Sequence, residues 1–134
     1  GDVWLCSGQS NMQWVVNNVT NAEVEKKNAN YSQIRTLNIP RRMELSPKDT
    51  ISATWLVCSP ENVGRFSGVA YFFAKKVYEE TNIPIGIINS SWGGTIVETW
   101  TSLEAANTLP QKRLDRYKVL HFLHYFLPDT RELP

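Results

Sequence analysis

The chain has 134 residues, 42% of them hydrophobic and 20% charged, which suits one modest globular domain and excludes wholesale disorder. Its 14 basic and 13 acidic residues leave a formal charge of +1, so neither nucleic acid nor an anionic membrane is expected as partner. No apolar stretch reaches the roughly 20 residues of a membrane helix. No His/Cys cluster has metal-ligand spacing, so neither metal nor cofactor is expected.

Val3-Trp4-Leu5-Cys6 is a short apolar run that reads as a buried strand. Gly8-Gln9-Ser10-Asn11-Met12 follows as a tight turn. Ser10 to about Asn17 then reads as a short helix, with Met12, Val15 and Val16 on one face. That order puts Ser10 at the carboxyl end of a strand and the amino end of a helix. Exposed N–H groups and the helix dipole favour negative charge there. Such a place suits a serine nucleophile, whose attack on an acyl carbon creates an oxyanion. On spacing alone, however, an N-cap is the commoner role for a serine so placed.

Asn17 to Asn21 is a polar break, and Ala22 to Asn28 a short, charged helical turn. Ile34 to Ile39 reads as a strand ending at Pro40. Arg41 to Thr50 is a loop, with turn signals at Ser46-Pro47-Lys48-Asp49. Thr54 to Cys58 is a strand or an extended segment, and Glu61 to Arg65 a loop. Cys6 and Cys58 each end an apolar run. A disulfide requires those two strand ends to be neighbours, and two buried free thiols are the preferred reading.

Phe66 to Thr81 carries the clearest helical period, with Phe66, Val69, Ala70, Phe73, Val77 and Tyr78 as an apolar stripe. Ser67 can cap it, and Asn82 and Pro84 can close it. Ile85 to Asn89 is a nearly continuous apolar run suited to a parallel strand covered on both faces. Gly93-Gly94-Thr95 leaves it as a tight turn, where glycine lets backbone approach a ligand and leaves N–H groups uncovered. Thr101 or Ser102 can cap a helix through Leu103 to Ala106, and Pro110 breaks it. Gln111 to about Leu127 reads as a final helix whose last part is apolar almost all round, a face for burial or self-association. Strands alternating with helices predict an α/β fold with a parallel sheet.

Two runs resemble a known family. Gly1-Asp2-Val3-Trp4-Leu5-Cys6-Ser7-Gly8-Gln9-Ser10-Asn11-Met12-Gln13-Trp14 is similar to the first sequence block of the sialate O-acetylesterases, within the SGNH-type hydrolases. Ile85 to Trp100 resembles that family's strand followed by Gly-Gly-Thr and Glu-x-Trp. Two blocks in the right order, roughly 80 residues apart, are far more specific than either alone. The resemblance covers about residues 1–118, with 119–134 a divergent apolar tail, and treats the whole as one partial domain. It implies an incomplete three-layer α/β fold of the SGNH/flavodoxin-like kind, a parallel sheet flanked by helices. It implies Ser10 as nucleophile, with the N–H of Ser10 and of Gly93 or Gly94 as oxyanion donors. Gln9, Asn11, Glu98 and Trp100 are then candidates for a substrate rim, though Trp100 reads equally well as core. Ile96 stands where the family commonly has proline, which alters the turn's stiffness more than its chemistry.

The resemblance also says what is missing. The family's base is a histidine in an Asp-x-x-His element, and a further oxyanion donor comes from a Trp-Tyr-Gln-Gly-Glu-Ser-type run. Neither is present. His121 and His124 have Lys118 and His121 three residues before them, not an acid. The expectation is therefore the N-terminal part of a larger hydrolase, with sequence also lying upstream of Gly1 and little esterase activity by itself. The implied substrate is an O-acetylated sugar, sialic acid or another glycan. The implied location is secreted, periplasmic or lysosomal. The competing reading is a non-catalytic carbohydrate-binding or interaction remnant, using the tryptophans and the Gly-Gly turn.

Overall fold

The computed structural model describes residues 1–42, 48–106 and 108. The chain divides into two compact units, Gly1–Gly94 and Thr95–Pro134. The first unit is built on a four-stranded sheet of β1 (Asp2–Gly8), β2 (Tyr31–Asn38), β3 (Trp55–Cys58) and β4 (Ile85–Ser91). Their order is β1-β4-β2-β3. β1, β4 and β2 are parallel, as their apolar runs and intervening helices predict. β3 departs from this: it pairs antiparallel with β2 and makes the sheet mixed. The connection between β2 and β3, residues 39–54, contains no crossover helix among its described residues.

The helices are α1 (Ser10–Gln13), α2 (Ala22–Asn28) and α3 (Gly68–Thr81), with α4 (Leu103–Ala106) in the second unit. α1 is one turn, not the longer helix expected from Ser10 to Asn17. Trp14 leaves helical geometry at ψ 121°, and Val15 forms an antiparallel bridge with Ser67. Val16 N–H donates to the Phe66 carbonyl at 3.0 Å, and Gly68 N–H to the Trp14 carbonyl at 2.7 Å. Two β-branched valines take tertiary sheet-like bonds where a helix of marginal length would have left them to water.

α3 begins and ends as its capping residues predict. The Ser67 hydroxyl accepts from Ala70 N–H at 3.3 Å, and Asn82 closes the helix in the left-handed region at φ 55°. Its buried face is different from the expected stripe. Ala70, Tyr71 and Ala74 are buried, with Val77 and Tyr78 partly so, whereas Val69 is 53% exposed and Phe73 39%. The face is rotated toward small residues because alanine lets α3 approach the sheet closely. Tyr71 fits there too, since its hydroxyl reaches Glu25 of α2 at 3.3 Å. Lys75 completes that cluster with a 3.0 Å ion pair to Glu25.

The core sits on one face of the sheet. Cys6, Ile34, Ile85 and Ile87 meet Val16, Ala29, Val63, Phe66, Ala70, Tyr71 and Ala74 there. Each large aliphatic or aromatic group so buried contributes about 1.5–3 kcal/mol. The opposite face carries Val3, Leu5, Trp55 and Val57, all exposed. Val3 and the Trp55 ring close over Gly86 on that face. Among the described residues, the unit therefore supplies the sheet and one helical layer.

Cys6 and Cys58 are both buried and free, on opposite edge strands, which leaves no disulfide to form. Burial pushes the Cys58 thiol up to about 11, opposed in part by a backbone hydrogen bond at Tyr31 and by the Lys75 charge. The fold therefore favours the neutral thiol. That contribution is complete below the ordinary thiol range and is lost as pH rises from about 9 through about 11. Tyr71 is raised as well, chiefly by burial, and adds to the loss at higher pH. Urea unfolding should show a midpoint that falls across this interval, and Cys58→Ala should fall less steeply. Parallel pH profiles for the two chains would contradict the assignment.

Candidate active site

β1 and β4 are adjacent and parallel, with Gly8 beside Ser91 at the ends of both strands. The turns leaving them consequently lie at the same end of the sheet. Trp92 N–H donates to the Gly8 carbonyl at 3.0 Å and joins the two turns directly. Gly8 takes φ 150°, and a Cβ there would stand 3.3 Å from that of Met12. A glycine is needed at that position to send the chain sharply from strand to helix.

Ser10 is the first residue of α1 and is exposed. The N-cap position belongs to Gln9, which makes no side-chain cap bond. Ser10 is thus not the N-cap that its spacing alone suggested. A one-turn helix has almost no macrodipole, so the electrostatic argument for this position narrows to its individual N–H groups.

Gly93 packs against Ser10. A Cβ at Gly93 would stand 3.2 Å from Ser10 Cα, 3.3 Å from Ser10 Cβ and 3.0 Å from Gln13 Oε1. Gly93 N–H donates to Gln13 Oε1 at 2.5 Å. Gly94 is exposed, takes φ 78°, and has no atom within 4 Å of where a Cβ would be. Behind the turn, Arg41 Nε donates to the Ser91 carbonyl at 3.2 Å, and Asn89 Nδ2 to Asn38 Oδ1 at 3.1 Å. The structure therefore brings Ser10 and Gly93 together from opposite ends of the first unit's sequence, with Gly94 the next residue of that turn.

The other sequence candidates divide. Gln9 is exposed next to Ser10, and Asn11 lines an open groove with Trp14, Val19, Gly68, Val69 and Phe72. Trp100 belongs to the second unit. It is 40% exposed, not core, and its Nε1 donates to Thr95 Oγ1 at 2.8 Å. Glu98 lies in the 3-10 turn Val97–Trp100, and its side chain is outside the described residues. His121, His124 and the expected self-associating helix of residues 111–127 also fall outside them. No histidine occurs among the described residues, and no group of acidic, His and Cys side chains there could hold a metal.

Gln13 is the residue that sequence reasoning passed over. Its signal was available: it stands three residues after Ser10, on the same side of a helical turn. Its partner, 80 residues on, was not.

Residues 1–121 match the family model described as carbohydrate esterase, sialic acid-specific acetylesterase. Human sialate O-acetylesterase is 41% identical over 111 residues, covering 76% of this chain and 21% of the relative. The rat protein of the same name is 36% identical over 127 residues, covering 87% and 23%. Among solved structures, a carbohydrate acetylesterase from Xanthomonas citri superposes with a TM-score of 0.78 at 35% identity, over 84% of this chain and 26% of that one. The chain thus spans about a fifth to a quarter of the length of these relatives. With the Ser10 turn and the glycine turn in contact at one end of the sheet, the chain belongs to the sialic acid-specific acetylesterase family of carbohydrate esterases.

Proposed function

We propose that this chain carries the nucleophile part of a carbohydrate O-acetylesterase site, acting on the acetyl group of an O-acetylated sugar such as sialic acid. The observation that carries the reading is the contact of Gly93 with Ser10 at the carboxyl ends of adjacent parallel strands. Ser10 Oγ attacks the acetyl carbonyl carbon, and its proton passes to a base. The carbonyl oxygen becomes an oxyanion held by the Ser10 N–H and a glycine N–H of the 93–94 turn. Collapse breaks the acetyl carbon's bond to the sugar oxygen, which leaves and takes the proton back to become a hydroxyl. Water then hydrolyses the acetyl-serine and releases acetate.

Gln9 and Asn11 flank the nucleophile and are assigned to the substrate rim with it. Glu98 and Trp100 keep that assignment from the family resemblance alone. A serine hydroxyl without a base loses about 10²–10⁴-fold in rate, and each missing oxyanion donor costs about 3 kcal/mol. The 134 residues contain no Asp-x-x-His, so the chain alone should release almost no acetate from p-nitrophenyl acetate. Imidazole added as an external base should restore turnover above the background of a Ser10→Ala chain. Equal rates in the two chains at every imidazole concentration would sink the proposal.

One observation favours binding without catalysis. Trp14 is 56% exposed and Phe72 39%, and both line the groove that Asn11 lines. Exposed aromatic faces of this kind take sugar rings. Calorimetry with an O-acetylated sugar separates the two readings. Heat that survives Ser10→Ala but disappears in Trp14→Ala, with no imidazole rescue, selects binding alone.

A further inference from the structure

The turn after β4 spends its N–H groups in order. Trp92 N–H goes to the Gly8 carbonyl, and Gly93 N–H to Gln13 Oε1. Both acceptors belong to the turn and helix that carry Ser10. Because the donor is a backbone N–H, the Gln13 amide must present its oxygen, which fixes the orientation of that side chain. An N–H has one proton, and a 2.5 Å bond to Gln13 leaves none at Gly93 for a bound oxygen. Gly94 is the next residue, exposed, at a φ only glycine adopts without strain, with open space on its side.

We propose that Gln13 is a positioning residue: it latches the glycine turn onto α1, consumes the Gly93 N–H, and so makes Gly94 the turn's oxyanion donor. The catalytic half of this inference rests on the esterase reading; the latch does not. The close approach of Gly93 to Ser10 is what the latch holds. With the bond made, the turn is held in place relative to the nucleophile; without it, the Trp92–Gly8 bond still joins the two turns but does not fix Gly93. Preorganised donors are effective because they need no rearrangement when charge develops.

The test uses the whole chain and NMR of its amides. Gly93 N–H should exchange slowly in the parent chain and about tenfold faster in Gln13→Leu. Gln13→Glu keeps an acceptor oxygen at the same reach and should restore the protection, which a general loosening of the fold would not allow. Titration with sodium acetate should move the Gly94 and Ser10 amide signals and leave Gly93 in place. Unchanged Gly93 exchange in Gln13→Leu would overturn the latch, as would equal loss of protection in the Leu and Glu variants. A Gly93 shift with acetate would overturn the donor assignment. Either failure leaves the imidazole rescue intact, whereas failure of the esterase reading removes the rescue and leaves Gly93 protected.

Discussion

Gly93→Val is expected to abolish imidazole-rescued acetate release and to lower stability by about 1–3 kcal/mol. The first Cβ alone would stand 3.0 Å from Gln13 Oε1 and 3.2 Å from Ser10 Cα. The amide oxygen can swing away, at the expense of its bond to Gly93 N–H. The Ser10 Cα cannot move without moving α1, and α1 is bound on its far side through the Trp14 carbonyl to Gly68. The added methyls of valine therefore displace either Ser10, the proposed nucleophile, or the turn. Gly94→Ala is the control for stability alone, since nothing lies within 4 Å of its Cβ. Its stability should fall only by the backbone strain of a positive φ, about 1–2 kcal/mol. Urea unfolding of both variants, and the imidazole assay on Gly93→Val, check the prediction. A Gly93→Val chain as stable and active as the parent would mean that the two turns do not touch.

Phe66→Ala should be the most destabilising single change, at about 3–5 kcal/mol. Phe66 is fully buried between the Val63–Arg65 turn and the start of α3, and its carbonyl holds the Val16 N–H. A domain of this size has about 5–15 kcal/mol in total, so the melting midpoint should fall by about 10 °C or more. Val69→Ala on the exposed side of α3 should cost under about 1 kcal/mol. The two measured together test the rotation of that helix. If Val69→Ala were the costlier change, the apolar stripe read from the sequence would face the core after all.

That helix shows where sequence reading works and where it stops. Its ends were legible because caps are local: Ser67 bonds three residues ahead, and Asn82 adopts a left-handed backbone by itself. Its buried face was not, because apolar residues surround much of α3, and periodicity alone cannot rank Val69 against Ala74. The sheet chose, by admitting the side that packs closest. The site divides in the same way. Ser10 and the Gly93-Gly94 pair stood out as residue types in the right order. Gln13 did not, because its importance lies in a partner 80 residues away.

By itself the sequence determined the family, the three parallel strands, the limits of α3 and the chemistry offered by a serine and two glycines. These depend on residue identity and on neighbours a few positions apart. Only the tertiary structure decided that α1 stops after one turn, that β3 runs antiparallel and that the two turns meet. Each of those is a contact between distant segments, where bonds made to a partner outweigh the weak local preference for helix or loop.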